Sequence, residues 1–236
     1  MRLNEFDITP ALVFHDQLNP ALWEGNSLRP DVQAKLLKIA DDFQDFIGVG
    51  IYDVLDVTIS GSNAAFTYTP KSDIDLHLVV MIPGAHEQEL RELFDAKKYQ
   101  YNDTFDFKIH GYDVELYVQD AEQEHHSMGI YSVKNNKWLS EPKQIRATID
   151  DISVENRYRT YISRIQTATA ENDRDQCQKL WDHLKGMRQA GLAQGGEFSP
   201  ENVTFKLLRA EGYLQDLRDH MVELKTRAMN MEGANA

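Results

Sequence analysis

The stretch Gly61-Ser62-Asn63-Ala64-Ala65-Phe66-Thr67-Tyr68-Thr69-Pro70-Lys71-Ser72-Asp73-Ile74-Asp75-Leu76-His77-Leu78-Val79-Val80 decides how the chain is read. Ahead of it, Leu55, Val57 and Ile59 alternate with polar residues, which predicts a strand ending in a tight turn at Gly61-Ser62. At its far end Ile74, Leu76 and Leu78 alternate with Asp73, Asp75 and His77 before Val79, Val80 and Met81, a second strand that stops at Pro83-Gly84. Side chains alternate along a strand, so Asp73 and Asp75 project from one face while Ile74 and Leu76 enter the core. Two carboxylates on one face repel unless a cation lies between them. Hard divalent cations such as Mg²⁺ use one or two carboxylates together with substrate phosphates. Gly61 permits close backbone approach, and Ser62 adds a hydroxyl and an N–H suited to terminal phosphates.

Working outward, Pro30 suits a first helical position, and Val32, Leu36, Ile39, Phe43 and Phe46 recur at steps of four and three, predicting a helix over 30–47. Leu90, Leu93 and Phe94 among charges predict another over 86–98. Phe105, Phe107 and Ile109, then Val114, Leu116 and Val118, alternate on either side of His110-Gly111 and read as a hairpin. Ile130–Val133 and Trp138-Leu139 around Lys134-Asn135-Asn136-Lys137 read as a further hairpin at a sheet edge. The front of the chain is therefore expected to be a small mixed sheet with flanking helices.

From about 152 the period changes to 3.6: Tyr158, Tyr161, Ile165 and Ala168 form one stripe, and Leu180, Trp181, Leu184 and Met187 another. Asp173 with Gln176 has the pattern of a capping box, and Gly191, Gly195 and Gly196 mark that helix's exit. Ser199-Pro200 starts a last helix whose seam is Val203, Leu207, Ala210, Leu214, Leu217, Met221 and Leu224. The fold class expected is α+β, with a sheet domain over 1–145 followed by a helical bundle over 146–236.

The segment from Gly61 to Val80 resembles the signature of the nucleotidyltransferase superfamily that includes DNA polymerase beta: a Gly-Ser turn, ten residues, then Asp-x-Asp on the next strand. Glu115 in Gly111-Tyr112-Asp113-Val114-Glu115-Leu116 matches the third carboxylate that this family carries on a later strand. The resemblance implies the family fold and metal-assisted transfer of a nucleoside monophosphate from a nucleoside triphosphate (NTP) to an acceptor hydroxyl, releasing pyrophosphate. It implies that Asp73 and Asp75 bind Mg²⁺ or Mn²⁺, that Glu115 holds the second metal and helps activate the acceptor, and that Gly61 and Ser62 seat the triphosphate. Many members have glycine four positions after the serine, where this chain has Phe66, so the loop around Phe66 and Tyr68 is expected to be shaped differently. The segment Gly196–Leu214 and the compact size resemble small members encoded by bacteriophages.

Charge bears on the acceptor. The 236 residues hold 25 Lys and Arg against 38 Asp and Glu, a formal net charge of −13, whereas a phosphate-backbone binder shows the opposite sign. Duplex nucleic acid is disfavoured, and a small molecule or a protein side chain is the preferred acceptor. Transfer to an RNA 3′ end and a nucleotide-binding module without turnover are the alternatives. Residues outside the motif have plainer readings. His77 shares the aspartate face as an ordinary hydrogen-bonded histidine, and His125-His126 reads as surface loop. Lys97-Lys98, Arg157, Arg159 and Arg164 read mainly as solvated helix charges, and the 203–224 seam as intramolecular core. Cys177, the single cysteine, reads as core packing, and one cysteine gives no sign of an oxidising compartment. With no apolar run of membrane-spanning length, and with Glu5 and Asp7 where a signal peptide is apolar, a cytoplasmic protein is expected.

Overall fold

The computed structural model describes residues 6–48, 54–82, 87–123 and 127–230. They group into two compact units, one spanning Val13–Ile145 and the other joining Arg146–Ala236 to the N-terminal segment up to Leu12. The break expected at Pro83-Gly84 and the pair His125-His126 lie outside the described residues. The sequence reading assigns residues 1–145 to one domain. The grouping differs at the N-terminus, where the ring of Phe6 lies 5.8 Å from that of Tyr158 in the helical unit.

The first unit opens with a two-stranded antiparallel hairpin, β1 (Trp23–Glu24) and β2 (Ser27–Leu28), followed by α1 (Pro30–Ile47). Val32, Leu36, Ile39 and Phe43 of α1 are buried as their spacing predicts, each contributing about 1.5–3 kcal/mol of apolar burial. Then come β3 (Val54–Ser60), β4 (Ile74–Val80), α2 (Glu87–Thr104), β5 (Lys108–Ile109), β6 (Tyr112–Asp120), β7 (Ile130–Ser132) and β8 (Lys137–Ser140). They form one six-stranded mixed sheet in the order β5-β6-β4-β3-β7-β8. The β7–β8 hairpin lies at the sheet edge as expected, with Asn136 at positive φ in its turn.

Within this unit, two elements differ from expectation. Helix α2 runs six residues past 98, to Thr104, because Tyr101 is fully buried with its ring 4.9 Å from Phe43 and 5.0 Å from Phe46. That burial overrides the β-like local composition. The hairpin expected between 105–109 and 114–118 shrinks to the two residues of β5, while Phe105 and Phe107 pack with Tyr101. On its other edge strand β6 pairs with β4, in parallel from Ile74↔Val114 to Val80↔Asp120, with α2 as the crossover. Asn102 of α2 covers the far edge of β6, its Nδ2 donating to the Leu116 carbonyl and its Oδ1 accepting from the Leu116 N–H, both at 3.1 Å.

The second unit contains α3 (Asp151–Ala170), α4 (Arg174–Gly195), α5 (Pro200–Ala210) and α6 (Tyr213–Met229). Its core includes Tyr161, Ile165, Cys177, Leu180, Leu184, Phe205, Leu208 and Leu217. Asp173 caps α4 by accepting from the N–H groups of Asp175 and Gln176, and Ser199 caps α5 by accepting from Asn202. The single helix expected through 203–224 is two helices, interrupted at Gly212 with φ of 86°. Nor does Gly191 end α4, which continues to Gly195. A Cβ at Gly191 would lie 2.5 Å from that of Glu201, so the missing side chain serves close packing. No helix among the described residues is long and apolar enough to cross a membrane.

Candidate active site

The centre of the site is the end of β3 and the turn after it. Ser60, the last residue of β3, is the register partner of Asp75 on β4, and Asp75 is in turn the register partner of Glu115 on β6. Gly61 therefore leaves the sheet directly beside the Asp75 carboxylate. Its φ is +75°, a conformation that disfavours side chains, and a Cβ there would fall 1.9 Å from Asp75 Oδ2. Glycine is required at this position twice over, by dihedral and by contact.

A short 3₁₀ turn, Ser62–Ala64, follows. It is held from below by Asn63, which is 1% exposed. The Asn63 amide donates to the carbonyl of Asp73 at 2.9 Å, its Oδ1 accepts from Asn19 Nδ2 at 2.8 Å, and its own carbonyl accepts from Trp23 Nε1 at 2.8 Å. Asn63 thus clamps the turn to the start of β4 and fixes where Asp73 enters the sheet. Ser62 Oγ donates to Ser72 Oγ at 2.7 Å, and Ser72 Oγ accepts from the Thr69 N–H at 2.9 Å, so both ends of the intervening loop are tied together. The Gly61 N–H donates to Ser127 Oγ at 3.2 Å. Phe66, where the resembled family has glycine, packs partly buried against the core, and its carbonyl accepts from the His15 N–H at 2.8 Å. The neighbouring Tyr68 ring stacks on His15 at 3.8 Å.

Asp73, Asp75 and Glu115 are all half-buried on the polar side of the sheet, while Ile74, Leu76, Val114 and Leu116 between them are buried. Neighbouring strands lie about 4.8 Å apart, so the registered pair Asp75 and Glu115 presents two carboxylates side by side. Their oxygens are the donor type that hard divalent cations take. Among the described residues, however, no three His, Cys, Asp or Glu side chains converge into a metal-holding group. Glu115 is instead drawn along its own strand, where Oε2 accepts a short hydrogen bond from the Tyr117 hydroxyl, and Asp75 lies against Gly61. His77, the next residue on the aspartate face, is hydrogen-bonded to Ser60 Oγ at 3.0 Å and stacks on Tyr117 at 5.0 Å.

The basic residues considered for triphosphate contact have partners within their own units. Lys97 lies over Phe46 and Lys98 pairs with Asp95, while Arg157 pairs with Glu201, Arg159 with Glu155, and Arg164 packs over Tyr161. Two residues that build the site escaped sequence reasoning. Tyr117 was legible from alternation, since it stands two residues after Glu115 on the same face. Asn63 had no comparable signal, because its contacts to Asn19 and Trp23 span 44 and 40 residues. No family model matches the chain, and neither does any curated protein or solved structure.

Proposed function

We propose that the chain is a metal-dependent nucleotidyltransferase of the DNA polymerase beta-like fold, moving a nucleoside monophosphate from an NTP to an acceptor hydroxyl with release of pyrophosphate. The observation that carries this reading is the triple juxtaposition at the end of β3. Gly61, stripped of a Cβ, abuts Asp75, which stands in register with Glu115 on the parallel neighbouring strand. In this reading Asp73, Asp75 and Glu115 hold Mg²⁺ or Mn²⁺, which supplies charge neutralisation at the triphosphate when bound. The Gly61-Ser62 turn brings backbone, rather than side chain, against the phosphates. Glu115 accepts the proton of the acceptor hydroxyl as its oxygen bonds to the α-phosphorus and the bond to the bridging oxygen breaks. The Tyr117 hydroxyl orients the Glu115 carboxylate beforehand.

The net charge of −13 favours a small molecule or a protein side chain as acceptor over a nucleic acid. The test is incubation of the purified chain with each α-labelled NTP, Mg²⁺ or Mn²⁺ and a cell extract, following pyrophosphate and the pool that takes up label. Transfer abolished by Asp73→Asn or Asp75→Asn supports the reading. Near-normal transfer in either variant overturns the metal assignment, and nucleotide binding without pyrophosphate release points to the non-catalytic module.

A further inference from the structure

The helical unit holds a cleft of about 460 Å³ between α3 and α4, within the roughly 300–1,000 Å³ of small-molecule sites. Ser163, Arg164 and Thr167 line it from α3, and Lys179 and His183 from α4. The buried Ala168 and Leu180 form part of its floor. Helical spacing explains the grouping, since these positions recur at steps of three and four and so share one face of each helix.

Charge sets the chemistry of this lining. Arg164 and Lys179 are exposed and stand in no ion pair among the described residues, and no Asp or Glu lines the cleft. Other cations of α3 are taken, Arg157 by Glu201 at 2.6 Å and Arg159 by Glu155 at 2.7 Å. Asp173, the acid that feels Lys179, has its carboxylate committed to capping α4. The cleft thus carries a local excess of two positive charges in a chain whose net charge is −13. The buried Tyr161 holds two of the lining groups in place, its ring 5.4 Å from the Arg164 guanidinium and its hydroxyl hydrogen-bonded to His183 Nε2 at 2.9 Å. A contact with an aromatic face fixes the guanidinium while leaving its N–H donors open to an anion.

We propose that this cleft binds the phosphate monoester of a small molecule, with the phosphate between Arg164 and Lys179 and the carbon skeleton over Ala168 and Leu180. A monoester carries about −1.5 to −2 charge at neutral pH and three acceptor oxygens. It therefore matches both cations and leaves an oxygen for the Ser163 or Thr167 hydroxyl. A carboxylate brings a single charge and two oxygens, and meets fewer of these donors. A nucleic-acid backbone gains its affinity from many cations along its length, and the glutamates on Arg157 and Arg159 interrupt any such track along α3. The cleft lies wholly within the helical unit, and binding there stands independently of the nucleotidyltransferase reading.

The test is a ¹H–¹⁵N NMR titration of the full chain, in EDTA so that a metal-dependent triphosphate site does not contribute. AMP and ribose 5-phosphate are the probes, and adenosine, ribose, acetate and a single-stranded RNA oligonucleotide the rivals. At least one monoester is expected to bind, with shifts at the amides of Arg164, Thr167, Lys179 and His183, and its unphosphorylated counterpart is not. Arg164→Gln and Lys179→Gln are each expected to weaken that binding about tenfold or more, with circular dichroism unchanged. Lys185→Gln removes the same charge from α4 outside the cleft and is expected to leave affinity within about a factor of two. Failure of both monoesters to bind, or equal binding of adenosine, ribose or acetate, overturns the proposal. So does affinity insensitive to both cleft variants, a loss in Lys185→Gln as large as theirs, or preference for the RNA.

Discussion

At the scale of single residues, the contact between Gly61 and Asp75 makes two opposite predictions. Gly61→Ala places a Cβ 1.9 Å from Asp75 Oδ2 in a backbone with φ of +75°. It is expected to destabilise the chain by at least about 1 kcal/mol from the dihedral alone and to displace the carboxylate. ATP-dependent thermal stabilisation should then be lost together with stability. Asp75→Asn removes a charge beside Glu115 without adding bulk, so urea unfolding is expected to show equal or slightly higher stability while transfer falls by more than about a hundredfold. If Gly61→Ala keeps full stability and full ATP-dependent stabilisation, the turn is not what positions Asp75. Tyr117→Phe keeps the ring that stacks on His77 and removes the hydroxyl that donates to Glu115. A fall in kcat with unchanged NTP affinity is expected, since Glu115 loses the donor that orients it.

At the scale of elements, the parallel pair β4–β6 is what registers Asp75 with Glu115, and the crossover helix α2 holds that pair at its open edge. Asn102 supplies both hydrogen bonds to Leu116 there. Asn102→Ala leaves a strand N–H and carbonyl without these partners and is expected to cost about 1–3 kcal/mol in urea unfolding. Asn102→Asp keeps the acceptor alone and should recover part of that loss. An unchanged unfolding midpoint in Asn102→Ala would show that water replaces the amide without penalty. In the helical unit, Gly212 stands at φ of 86° between α5 and α6, and Gly212→Ala is expected to destabilise by about 1 kcal/mol.

For the whole molecule, charge governs both pH response and partners. Burial pushes the Glu197 carboxyl up, but Lys206 at 2.8 Å and the nearby Arg188 outweigh it and hold the group below its ordinary value of 4.5. A carboxyl with a depressed folded pKa contributes stability that is complete above the unfolded value and is lost as pH falls through the folded one. Glu197→Gln is therefore expected to be less stable than wild type near neutrality, with the difference closing below pH 4.5. Urea midpoints across a pH series check this, and a constant difference at all pH values would refute the pairing. The excess of 13 negative charges predicts weak binding to duplex DNA and RNA at physiological salt. Sub-micromolar affinity with a steep salt slope would instead promote an RNA-end acceptor.

Local pattern determined much of this protein by itself. The helix Pro30–Ile47, the strands flanking Gly61, the common face of Asp73 and Asp75, and the caps at Asp173 and Ser199 follow from periodicity and short-range hydrogen bonding, which adjacent residues encode completely. Glu115 could be singled out by its place in an alternating run, but its pairing could not. How far β6 pairs with the preceding segment on one edge, and which strand takes its other edge, is set by contacts of different sequence separation. The tertiary structure limits the first pairing to the two residues of β5, since Tyr101 draws the residues before them into α2, and gives the other edge of β6 to β4. The same non-local packing placed Asn63 under the turn, where Asn19 and Trp23 hold it from 44 and 40 residues away. Such features depend on partners tens of residues away, and a linear pattern carries no record of who those partners are.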